Sequence, residues 1–232
     1  MVRDRRYAVT TLASDMPAGP QGQPAHQAGA EVVLVESVQI EGLGGVGFPT
    51  PRPSELLLHA AAGDLKRATR LGRQCLSQAK AVRWTQPGIE HEITNDQLLF
   101  DFFGSAMAGL MLAYAAVDAR LNELFTQPVQ HKGERVPVEQ VQGYWSAQRK
   151  LEHILRDRGD AWLGEEDVAG LAELKELRDM AVHVRTEHIL GRYSEFTEDG
   201  GEKLLWSRLL NESNLSRFAD LAERLLDGLR KG

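Results

Sequence analysis

The chain has 232 residues, 42% of them apolar, enough for one domain of ordinary size with an appendage or for two small ones. Its net charge of −6 argues against gripping nucleic acid by bulk electrostatics, so any such contact needs a local basic face. The single cysteine, Cys75, excludes a disulfide framework and a cysteine-built zinc site, and it reads as a small buried hydrophobe of a protein in the reducing cytoplasm.

Residues 1–52 read as an N-terminal extension. Two β-branched runs, RYAVTTLA and AEVVLVESVQI, flank the Pro/Gly-rich stretch SDMPAGPQGQPAHQAGA, which reads as a linker. The two runs can pair as a β-hairpin, or the segment can be irregular. The apolar run after Arg5-Arg6 is too short and too polar for a secretory h-region. EGLGGVGFPTPRP is expected to break structure. Its Gly42, Gly44, Gly45 and Gly47 make no phosphate loop, because no Lys-Ser/Thr comes after them.

Residues 53–232 carry the helical period, and about five helices are expected. The first starts at the N-cap Ser54 and runs to Val82, with Leu57, Leu58, Ala61, Leu65, Ala68 and Leu76 on its apolar positions. Lys66, Arg70, Arg73 and Lys80 fall on one stripe of it, which could hold an RNA backbone by phosphate contacts or could be a solvated face. The second helix opens at Thr94 and Gln97, a capping-box pair, and its apolar residues recur from Leu99 to Leu124. Its apolar stretch from Gly104 to Val117 falls short of the ~20 residues of a membrane span, so it reads as the buried spine of a bundle and no membrane contact is expected.

Pro137 suits the first turn of a third helix running to Arg158. A fourth spans Glu165 to Val184 with acids in its first turn, and a fifth runs from Ser213 to Leu229. Between them RYSEFTEDGGEKLLWS can form a hairpin turning at EDGG. Trp145, Trp162 and Trp206 read as core or boundary residues, and His153 as a surface or boundary residue of the third helix. His183 and His188 lack a third ligand and a common helical face, so no metal site and no cofactor are expected.

On a helical wheel Leu171, Leu174, Ala181 and Val182 lie within about 60° of Arg178. Arg178 therefore sits inside an arc that should be buried, and a guanidinium there needs a partner, a cleft or an interface. Candidate partners are Asp118 and Glu123 on the second helix. His183 lies about 140° round from Arg178, so one straight helix would not aim both at one atom.

The segment Arg178-Asp179, three residues, His183 resembles the R-x4-6-H motif of HEPN domains. Arg52 and His59 also match its spacing, but Arg52 stands between two prolines. The stretch AYAAVDARLNEL, Ala113 to Leu124, is similar in character to the helix that precedes the motif in that family. The resemblance covers residues 54–232 in architecture and a few residues in motif. It implies a mainly α, HEPN-like helical bundle that dimerises with the motif at the interface. Active members are metal-independent endoribonucleases, which would make Arg178, His183 and Asp179 catalytic. In that chemistry a histidine moves the protons of the ribose 2′-OH and the leaving oxygen while an arginine holds the phosphate. The implied settings are a toxin or defence effector, with RNA as substrate and an antitoxin or regulatory protein as partner. The alternative is a non-catalytic HEPN-like module for dimerisation or partner-protein binding.

Overall fold

A computed structural model describes residues 6–18, 25–84, 89–158, 164–182 and 205–231. The described chain is mostly helical, with seven helices and four two-stranded antiparallel hairpins, and it divides into two compact units, Met1–Leu56 and Leu57–Gly232.

The first unit is built of hairpins. β1 (Val9–Thr11) pairs with β2 (Glu31–Val33), the partnership the two β-branched runs suggest. β3 (Val35–Ile40) pairs with β4 (Gly44–Pro49) in register Val35↔Pro49 to Ile40↔Gly44. β4 lies in the segment expected to break structure. The glycines that argued for a break instead make the reversal possible: Gly42 and Gly44 take φ of 81° and 77°, a region that carries no penalty for glycine. Most side chains here are exposed, including Val35, Leu43 and Phe48, so backbone pairing contributes more to this unit than a core does.

α1 (Pro53–Ser77), which belongs to the second unit from Leu57 onward, buries Ala61, Leu65, Ala68, Leu71 and Cys75. It stops earlier than the pattern suggested. Leu76 is 56% exposed, and the chain turns into the hairpin of β5 (Lys80–Trp84) and β6 (Ile89–Glu92). The expected helix to Val82 is thus corrected: the helix ends at Ser77, and Val82 and Trp84, residues that favour extended backbone, belong to β5.

α2 (Asp96–Leu124) is the spine. Asn95, rather than Thr94, caps it, its side chain accepting from the Leu98 N–H at 3.1 Å, while Gln97 bonds Asp101. By length and composition α2 is long and apolar enough to cross a membrane, which the Gly104–Val117 count understated. In this structure Phe102, Ala106, Leu110, Ala113, Val117 and Leu121 are buried by the helices around it. Small residues permit the approach: a Cβ on Gly109 would stand 2.6 Å from Leu65 of α1, and one on Gly72 would stand 2.9 Å from Phe102.

β7 (Val129–His131) and β8 (Glu134–Val136) form a tight hairpin that leads to α3 (Val138–Tyr144) and α4 (Ala147–Arg158). A single third helix was expected. Trp145 adopts an extended conformation and buries its ring, and Ser146 opens a new helix by accepting from the Arg149 N–H at its hydroxyl, 3.2 Å away. Lys150, buried to 1% exposure, donates to Asp118 of α2 at 2.7 Å and to the Gln142 carbonyl, tying α3 and α4 to the spine.

α5 (Glu165–Val182), α6 (Leu205–Asn211) and α7 (Arg217–Lys231) complete the core, and α2, α5 and α7 pack on one another. α7 starts four residues later than expected, after a turn at residues 213–216. The Leu205 end of RYSEFTEDGGEKLLWS is helical. The hairpin expected at EDGG lies outside the described residues, as does Trp162.

Candidate functional site

α5 presents Leu171, Leu174, Leu177 and Ala181 to the core, the arc expected from the wheel, although Val182 at its end is exposed. Arg178 stands on that arc and is half-buried. Its guanidinium lies 4.3 Å from the centre of the buried Tyr114 ring on α2, and Nη1 meets Asp179 Oδ1 at 2.8 Å. Asp179 also accepts from Lys175 Nζ at 2.6 Å. The two acids expected as partners are engaged elsewhere: Asp118 holds Lys150, and Glu123 holds Arg120. The arginine is thus anchored by its sequence neighbour and a ring. Its Nε is buried and has no hydrogen-bond partner among the described residues. His183 and His188 lie outside the described residues.

The basic stripe is largely brought together. Lys66, Arg70 and Arg73 are exposed on α1 and line a cleft of about 610 Å³, with Thr69 of α1 and Asn214 and Ser216 of the α6–α7 turn on its other wall. Thr69 fixes the two walls: its hydroxyl donates to the Leu65 carbonyl at 2.9 Å and accepts from the Ser216 N–H at 3.3 Å. Lys80 is not part of the cleft. It is exposed on β5, past the end of α1, so the helical stripe ends at Arg73. The cleft suits an extended anion, since three cations and several neutral donors converge there.

Beside the Arg178 site a network of ion pairs joins α5, α6 and α7. Arg217 grips Glu173 with two bonds, at 2.7 and 3.0 Å, and Glu212 with another at 2.8 Å, while Arg208 meets Glu176 at 2.7 Å. The hydrogen bonds from Arg217 hold the Glu173 carboxyl below the usual value of 4.5 against the opposing effect of its partial burial. Burial pushes the Cys75 thiol up. Among the described residues no group of three or more His, Cys, Asp and Glu side chains is placed to hold a metal ion. A scan against protein-family models and searches of curated proteins and of solved structures find no match for this chain.

Proposed function

We propose that the chain is a HEPN-type, metal-independent endoribonuclease that acts as a homodimer in the cytoplasm, in the setting of a toxin or defence effector restrained by an antitoxin or other regulatory protein. The observation that carries this reading is Arg178. A guanidinium offers five N–H donors, and here Asp179 and Tyr114 hold it while its Nε has no partner among the described residues. An arginine held in this way on an apolar helix is suited to bind a scissile phosphate and the charge that develops on it.

In the proposed reaction the ribose 2′-oxygen attacks phosphorus and the 5′-oxygen leaves. His183 moves the protons, one copy of the site being completed by the second subunit. Asp179 acts as a positioning residue for the arginine. The Lys66, Arg70 and Arg73 cleft holds the flanking backbone by phosphate contacts, which weaken as salt rises. The test is a cleavage assay on purified protein with EDTA present. Cutting in the wild type that is lost in Arg178→Ala and in His183→Ala supports the reading, and no cutting by the wild type, or cutting that persists in either variant, overturns it.

One observation favours a second reading, a non-catalytic HEPN-like helical module for dimerisation or for binding a partner protein. The Tyr114 stack and the Asp179 pair are also what an arginine with a packing role would show. That reading expects no cleavage by the wild type, together with a large loss of stability in Arg178→Ala.

A further inference from the structure

α4 and the β7–β8 hairpin enclose a second concavity, of about 570 Å³, lined by two histidines. His131 ends β7 and His153 sits in the middle of α4, with ring centroids 6.3 Å apart. Trp145 meets both rings edge-on, at 5.0 and 5.5 Å, and Phe125 lies 5.9 Å from His153. This aromatic backing fixes the pair and keeps water from one side of it.

His153 is only 5% exposed, yet its Nδ1 has no hydrogen-bond partner among the described residues, and neither has the buried Nδ1 of His131. The Nε2 of His153 lies 3.2 Å from Asp157 Oδ2, off the line that a hydrogen bond needs. Buried imidazole nitrogens left unpaired are costly, which makes the pair a place where a ligand could supply the missing partners. The surrounding charge says which kind. Lys132, Arg149 and Arg156 line the same concavity together with the acid Glu152, and the Arg149 guanidinium stands over the Trp145 ring, 4.2 Å from its centre. Cations around two histidines repel a metal ion and attract an anion.

We propose that this concavity is a binding site for a phosphate group, its charge balanced by Lys132, Arg149 and Arg156 and its oxygens accepting hydrogen bonds from His131 and His153. It shares no residue with the Arg178 site or the α1 cleft, so it stands or falls separately from the ribonuclease reading.

Two further features agree with it. Lys132 and Gly133 form the two-residue turn with φ of 51° and 83°, a conformation that glycine and asparagine take readily and lysine does not. A lysine in that position sets a cation on the wall of the site at the expense of the turn. His131 is also held below the usual histidine pKa of 6.5, first by desolvation and then by Arg149, Lys132, Arg156 and His153. A bound dianion would reverse those charge effects. The acids near the pair are Glu134, which faces His131 across the hairpin, and Glu152 and Asp157 on α4.

The test uses the full chain, with imidazole NMR signals read during titration with inorganic phosphate and, separately, with a nucleoside 5′-monophosphate. Saturable shifts of the His131 and His153 signals are expected. Arg149→Gln is expected to weaken binding about tenfold, the usual effect of losing one charge-assisted contact. Lys132→Asn is expected to weaken binding and at the same time raise the melting temperature, a split that a purely structural lysine would not give. Response to phosphate alone, to the nucleotide alone or to both supports the site and identifies the source of the group. Signals that move with neither ligand, or unaltered affinity in both variants, overturn it.

Discussion

Arg178 shows at the scale of one residue what a sequence can and cannot say. That an arginine on the apolar arc of α5 needs a partner follows from spacing and from the cost of burying a bare charge. Which partner it takes does not, because Lys150 reaches Asp118 from another helix, and only packing reveals that. Since a stacked, half-buried cation contributes about 1 kcal/mol, Arg178→Ala is expected to lower the unfolding free energy by about that much in urea titration. A loss of several kcal/mol would favour the packing role instead. Glu173 gives a pH signature. Its pKa is lowered in the folded state, so its contribution is complete above the ordinary value of 4.5 and is lost as pH falls through the lowered one. Because the pair is partly exposed, Glu173→Gln is expected to cost about 1 kcal/mol at pH 7 and progressively less below pH 4.5 in denaturant titrations run across that range. His131 and His153 were the hardest residues to foresee. They are 22 residues apart in sequence, and the three-residue strands that bring one toward the other leave too short a pattern to stand out.

At the scale of elements, the long periodic segments were legible and their ends were not. The bodies of α1, α2, α5 and α7 follow from apolar residues at helical spacing. The ends depend on local competition: Asn95 against Thr94 for the cap, Trp145 and Ser146 against continuity of α3 and α4, and the strand preference of Val82 and Trp84 against extension of α1. Four hairpins escaped or were only half seen, since a strand of three to six residues leaves too short a pattern to stand out. Close packing of α1 on α2 can be tested by two glycines of one helix. Gly109→Ala is expected to cost about 1–3 kcal/mol, because its Cβ would drive into Leu65. Gly104 has open space around its Cβ position, so Gly104→Ala is expected to be stabilising by up to about 1 kcal/mol from helix propensity alone. Equal effects of the two changes in denaturant titration would contradict the close approach.

At the scale of the whole molecule, the chain divides into two compact units between Leu56 and Leu57, close to where strand-like patterning gives way to helical patterning. The buried apolar cluster lies in the second unit, so residues 53–232 alone are expected to unfold in one cooperative transition with helical circular dichroism retained. A broad, non-cooperative melt of that fragment would contradict it. Function was less legible than fold, because the motif that suggests it rests on a few residues and a histidine that no helix periodicity requires. The most direct measurement is cleavage of an end-labelled single-stranded RNA by the purified full-length protein with EDTA, the wild type run beside Arg178→Ala and His183→Ala. The expected result is fragments ending in a 2′,3′-cyclic phosphate from the wild type alone, with both variants still folded. Intact RNA in the wild-type lane, or the same fragments from either variant, would contradict the ribonuclease reading.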